Sequence, residues 1–158
     1  MLNSLQKANW YLRYFGWRKV PLIGLCRPKL VSLTDESVTV MIPLRSRTKN
    51  HLGSLYFGAL AIGADVAGGF LAMNKAQQCG KKISLAFKGM TADFLKRPEA
   101  NVYFHCGDGL LIDEMLAEAI ATGQRINQAV TITAKCPSLH GDEVMAHFSL
   151  VLSIKVVN

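Results

Sequence analysis

The sequence predicts an α+β domain in which one antiparallel sheet packs on a single long helix. Three observations predict it. The 22 residues from Leu52 to Met73 (LGSLYFGALAIGADVAGGFLAM) carry one charge only, Asp65. Strand-like segments lie on both sides of that run, and the last two alternate apolar with polar residues over most of their length. The chain has 158 residues, half of them hydrophobic, which suits a single domain over 1–158 with one sizeable core.

The opening segment, 1–19, reads as an amphipathic helix. Leu2, Leu5, Ala8, Leu12 and Phe15 recur at helical spacing, with Lys7, Arg13 and Arg18 between them. A basic helix bearing Trp10, Tyr11, Phe15 and Trp17 has the composition of a membrane-surface helix. Apolar stripes mostly face a core, however, so the expectation is a helix packed across the domain. Pro21 and Gly24 break the pattern. Residues 28–33 form a short strand and Thr34-Asp35-Glu36 a turn. Val38, Val40, Ile42 and Leu44 then alternate with Thr39, Met41 and Pro43, a strand with one buried face. Pro43 marks its end or a sheet edge.

A basic loop, 45–50 (RSRTKN), leads to the central helix, expected over 54–77 with Ser54 as N-cap and Gly80 at its C-terminal cap. Its apolar length could span a bilayer. The central Asp65, the five glycines of the apolar segment 52–73 and the soluble-type alternation elsewhere point instead to a buried core helix without stable membrane insertion. Residues 81–88 read as the third strand, continuing irregularly towards Leu95. A turn at 96–99 precedes a fourth strand, 101–106. A short helical segment follows, with Leu110, Leu111, Met115, Ala119 and Ile120 at helical spacing and Gly123 closing it. The fifth strand is 126–135, a turn spans 137–142, and the sixth strand, from Val144 to Ile154, alternates most clearly. Because the central helix is apolar on every side, the sheet must curl around it or a second subunit must cover it.

Cys26, Cys79, Cys106 and Cys136 form no CxxC pair and no metal-ligand spacing. That suits reduced thiols in a cytoplasmic protein with neither metal nor cofactor. No secretory signal pattern is evident at the N-terminus. The net charge of +7 favours anionic partners. No nucleic-acid motif accompanies it, so nucleic acid is not an expected partner.

Asp65 is the first place to look for chemistry, since a buried ionised carboxylate is costly unless it is paired or put to work. Thioester hydrolysis needs a donor for the developing oxyanion and a carboxylate that attacks or activates water. The helix start at Phe57 and Gly58 offers unpaired N–H groups. Asn50 can hold a water or a carbonyl, and Asp65 can act as base or nucleophile. Gly58 and Asp65 lie seven residues apart, about 10 Å along the helix at 1.5 Å per residue. One thioester carbon does not readily reach both in one chain, so the site is expected to combine residues of two subunits.

The element order over about 20–157 and the residues of 50–65 resemble the hotdog fold, more narrowly the phenylacetate-type (PaaI-like) acyl-CoA thioesterases. That subgroup shows Asn-x-x-Gly-x-x-His-Gly-Gly and then an Asp on the central helix nine residues after the His. Here the stretch runs from Asn50 to Gly58, and Asp65 follows Tyr56 by nine residues. Asn50, Gly53, Gly58 and Asp65 fall in register. Tyr56 stands in the place of the His and Phe57 in that of the first paired Gly, departures that resemble an uncharacterised bacterial branch of thioesterase-like hotdog proteins. The resemblance implies an acyl-CoA thioesterase, a homodimer or tetramer, with Phe57 or Gly58 N–H binding the thioester carbonyl at a site shared across the interface. It implies a water-orienting hydroxyl at Ser84, with Thr91 a weaker candidate. Tyr56 either donates its hydroxyl into the pocket or packs at the helix start. Gly53 and Thr91 join Tyr56 as expected substrate-contacting positions.

Arg45, Arg47 and Lys49 before the helix, and Lys81, Lys82, Lys88, Lys96 and Arg97 after it, could hold the phosphates of acyl-CoA or form a solvated basic surface. The alternative function is a hotdog protein that binds an acyl ligand without hydrolysing it. A hotdog dehydratase would need a His at the helix start, which is missing.

Overall fold

In the computed structural model, which describes residues 3–157, the elements run α1 (Ser4–Arg18), α2 (Pro21–Cys26), β1 (Lys29–Leu33), β2 (Val38–Ile42), α3 (Phe57–Gln78), β3 (Ile83–Phe94), β4 (Val102–Cys106), α4 (Gly109–Thr122), β5 (Ile126–Lys135), α5 (Pro137–His140) and β6 (Val144–Val156). The strands form one six-stranded sheet in the order β1-β2-β4-β5-β6-β3. Every neighbouring pair is antiparallel. This is the α+β arrangement expected from the sequence.

The alternating strands turn their apolar sets to one core. Val38, Val40, Ile42, Val102, Phe104, Val130, Ile132, Phe148, Leu150 and Leu152 are fully buried, as are Ala64, Ala67 and Leu71 of α3. Small residues let α3 approach the sheet closely. A Cβ at Gly63 would run into the ring of Phe104, so only glycine lets the helix lie there. On its other side Lys75, itself buried, bonds Asp113 of α4 at 2.7 Å, tying the two helices together.

Several boundaries differ from the sequence reading, each for a local reason. Asn3 caps α1 in a capping box with Gln6. Leu2, assigned to the helix stripe, lies outside the described residues. Leu12 and Gly16 are buried while Trp10, Tyr14 and Trp17 face outwards, so α1 does pack across the domain by one face. The break at Pro21 is instead a second helix, α2, with Pro21 at its first position. Gly24 of α2 meets Gly16 of α1. A Cβ on Gly24 would come within 2.5 Å of the Gly16 carbonyl oxygen.

α3 starts at Phe57 rather than Ser54, and Ser54 is not its N-cap. The Leu55 N–H donates to the Pro98 carbonyl and the Tyr56 N–H to the Thr48 carbonyl, each at 2.8 Å, which holds the chain extended until Tyr56. Gly80 lies just past the helix in the left-handed region, at φ 70°. β2 ends at Ile42 and is an interior strand, so Pro43 marks an end and not an edge. β3 is one strand of 12 residues, bulged between Phe87 and Gly89, and the turn after β5 contains the one-turn helix α5.

Candidate functional site

Asp65 sits midway along α3, at the wall of a cavity of about 540 Å³. The cavity lies between α1 and α2 (Leu12, Phe15, Ile23), α3 (Asp65, Gly69, Met73) and the first half of β3 (Ile83, Leu85, Phe87). Its size is within the range of ligand sites. Among the described residues, every lining residue but Asp65 is apolar or glycine. The carboxylate leans towards Gly69, where a Cβ would stand 3.9 Å from its Oδ1, and the Phe87 ring covers the same spot.

Among the described residues the Asp65 carboxylate has no hydrogen-bond donor and no cation beside it. Burial alone acts on it, and pushes its pKa up from the ordinary carboxylate value. Its oxygens nonetheless retain access to the cavity space. A carboxylate held this way is a stronger base than a solvated one and stands where a water or a carbonyl carbon can reach it.

The second group of residues lies one end of the helix away. The Asn50 side chain is bound within its own turn. Its Oδ1 accepts the Leu52 N–H at 2.9 Å and the Ser54 N–H at 3.2 Å, and its Nδ2 donates to Ser54 Oγ at 3.0 Å. Gly53, at φ 81°, supplies the left-handed residue this turn requires. The turn delivers the chain to Tyr56, which precedes α3 with no side chain capping the helix. The first bond back to Tyr56 comes from Leu60 at 3.0 Å, so the N–H groups of Phe57, Gly58 and Ala59 have no intrahelical acceptor. The Tyr56 ring lies against Gly58, in the space a Cβ would need. Tyr56 therefore packs at the helix start.

Phe57 is 59% exposed and stacks edge-on with Phe94 of β3, their ring centres 6.1 Å apart. Met90 and Phe94 pair across the strands with the buried Leu150 and Ala146, so they face the helix side of the sheet. Yet they are 44% and 48% exposed. An apolar surface of Tyr56, Phe57, Met90 and Phe94 is left uncovered beside the open backbone edge of β3.

The two hydroxyl candidates do not join the site within one chain. Ser84 pairs with Lys155 and Thr91 with Ser149, and directly opposed residues share a face. That face is opposite the one carrying Ile154 and Leu150, so both hydroxyls project away from α3. The structure thus leaves Asn50, Gly53, Tyr56, Phe57 and Gly58 together at the start of α3, and Asp65 apart from them on the cavity. The sequence reading missed the cavity walls, Phe87 and the α1–α2 pair. Leu12 and Phe15 were visible as an apolar stripe, but nothing in the stripe shows which helix it meets.

The fold has many solved counterparts. A Pseudomonas aeruginosa protein described as of unknown function and a probable thioesterase superposes with a TM-score of 0.77 at 20% identity, covering 94% of this chain and 95% of that one. A Haemophilus influenzae thioesterase gives 0.71 at 13% identity, covering 99% and 93%. A mutant of a P. aeruginosa thioesterase gives 0.69 at 17%, covering 99% and 97%. At such identities the likeness shows the fold alone, and that fold is the hotdog. No curated protein matches the chain. The family described as a domain of unknown function, DUF4442, matches residues 8–149, and over that span, nearly the whole of the chain, the protein belongs to it.

Proposed function

We propose that the protein is a cytoplasmic acyl-CoA thioesterase whose site is completed across a subunit interface, with no cofactor. The observation that carries this reading is Asp65, a carboxylate without a partner among the described residues, on the wall of an apolar cavity large enough for an acyl group. Hotdog neighbours described as thioesterases support the same class. The cavity takes the acyl chain, and Asp65 removes a proton from water as it attacks the thioester carbonyl. The free N–H groups at Phe57 and Gly58 stabilise the oxyanion that forms. The C–S bond then breaks, the leaving thiolate takes up the proton that Asp65 removed from water, which restores the carboxylate, and the carboxylic acid leaves.

Asp65 and the start of α3 lie about 10 Å apart along one helix, so the reading draws them from different subunits. The uncovered apolar surface of Phe57, Met90 and Phe94 beside the unpaired β3 edge supports a homodimer, or a tetramer built from one. Ser84 and Thr91 keep a role here only if a partner brings its own site towards the outer face of β3.

A second reading has its own support. Asn50 is tied to Ser54 and the Tyr56 ring covers Gly58, which favours acyl binding without hydrolysis. Subunit mixing tests the shared site. Asn50→Ala and Asp65→Asn chains, each inactive alone, are mixed under verified exchange. About half of the dimers are then mixed and each holds one intact site, so about a quarter of wild-type activity returns. Exchange without recovery, or a monomer by sedimentation at micromolar concentration, overturns the shared site. A wild-type protein that binds acyl-CoA and releases no thiol from short, long or aromatic acyl-CoA establishes the second reading.

A further inference from the structure

The outer face of the α1–α2 pair has no function in the proposed chemistry. Trp10, Tyr14 and Trp17 recur on the side of α1 opposite the buried Leu12 and Gly16. Trp10 is 68% and Trp17 75% exposed, and α2 adds Leu22 at 61% and Leu25 at 43%. Arg13 flanks the aromatic row on one side, Lys7 and Arg18 on the other, all of them exposed. Large aromatic and aliphatic tips between cations are not a solvated helix face.

The charge distribution singles out the same region. Residues 1–34 hold six Lys and Arg and no acidic residue, whereas the rest of the chain holds twelve basic and eleven acidic ones. Nearly all of the net +7 thus resides in the helix pair and β1. Where α2 ends, Leu25, Arg27, Arg45 and Arg47 line a small cleft of about 260 Å³ with Ser46 and Thr48 and no carboxylate. None of these three arginines is in an ion pair among the described residues.

We infer that the α1–α2 pair docks the protein on an anionic lipid bilayer, with Trp10, Tyr14 and Trp17 in the headgroup region and the cations on lipid phosphates. Indole and phenol rings on a helix with a cationic border suit that boundary, apolar body inwards and polar tip at the water. A second copy of this chain suits it poorly, because two such faces would oppose their cations. Nucleic acid suits it poorly too, since the exposed leucines offer nothing to phosphate or base edges. The docking is peripheral and leaves α3 in the core. The inner side of the same helix pair, through Leu12, Phe15 and Ile23, walls the Asp65 cavity. One helix diameter, roughly 10–12 Å, would therefore separate the cavity from the bilayer surface.

The chain has two tryptophans, Trp10 and Trp17, so its indole fluorescence reports on this face alone. The test uses the full chain, without substrate, and vesicles of phosphatidylcholine alone or in equal parts with phosphatidylglycerol. Wild-type protein is expected to float with the anionic vesicles, with a blue-shifted emission quenched by brominated lipid, and to be released by salt. Each of Arg13→Gln and Arg18→Gln should weaken partitioning about fivefold, and the pair about 25-fold. Trp10→Ala with Trp17→Ala should abolish flotation. These side chains are exposed, so circular dichroism and Tm should not change. Folded wild-type protein that stays off anionic vesicles at low salt overturns the inference. So does binding that survives both double variants, or a change in sedimentation of the tryptophan variant showing that the face joins two copies. None of these readouts depends on hydrolysis, so failure here and failure of the thioesterase reading are separate results.

Discussion

Replacing Asp65 with Asn separates the chemistry of this residue from its cost to the fold. Burial raises the Asp65 pKa above its value in the unfolded chain. Between the two values the folded state holds more protons than the unfolded state, so stability falls as pH rises through that window. The ionised carboxylate therefore weakens the fold at neutral pH and imposes nothing below about pH 4, the ordinary range of Asp. A fully buried, unpaired ion costs several kcal/mol; Asp65 still reaches the cavity space, which lowers the cost to about 1–2 kcal/mol. At roughly 2–4 °C per kcal/mol for a domain of this size, Asp65→Asn should raise Tm by about 2–8 °C at neutral pH. The gain should vanish below about pH 4. The amide cannot take a proton from water, so thiol release from acyl-CoA should drop at least about 100-fold, some 2.7 kcal/mol in the barrier. Thermal melts across pH and a thiol-detection assay read the two effects on one preparation. Unchanged turnover in the folded variant would refute the catalytic role. An unchanged or lower Tm at neutral pH would refute the account of the carboxylate's surroundings.

Three further substitutions probe the scaffold. Gly63→Ala puts a methyl group into the Phe104 ring, which is fully buried and has nowhere to move. Overpacking costs about 1–3 kcal/mol and the helix gains back about 1, so a net loss of up to about 2 kcal/mol is expected in urea denaturation; a stabilised variant would contradict the packing argument. Asp113→Ala strands the buried Lys75 ammonium. Because Asp113 is itself half exposed, the loss should be about 1–3 kcal/mol rather than the larger cost of a fully enclosed pair, whereas Lys75→Met should stay within about 1 kcal/mol of wild type. Equal losses in the two variants would mean that the Lys75 stem, not the ion pair, matters there.

Much of the architecture was legible because it rests on periods that burial imposes directly. The alternation of β6 from Val144 to Ile154 predicts a strand with one core face, and Ala146, Phe148, Leu150, Leu152 and Ile154 are buried as that period requires. The apolar run with its lone Asp65 predicts a core helix, and α3 is that helix. Local patterns did not reveal α2, since six residues around a proline are too few to form a helix by propensity. α2 exists because Gly24 can lie against Gly16, a contact no local window contains. The start of α3 was misplaced for a similar reason, its preceding residues being held by the distant Pro98 carbonyl. The candidate site divides along the same line. The sequence by itself determined which groups are chemically able to act: the carboxylate of Asp65, the amide of Asn50, the N–H groups at Phe57 and Gly58. Only the tertiary structure decided that Asn50 is bound within its own turn, that Ser84 and Thr91 face away from α3, and that α1 and α2 roof the Asp65 cavity. Those outcomes depend on strand register and helix crossing, which arise from contacts between residues far apart in the chain.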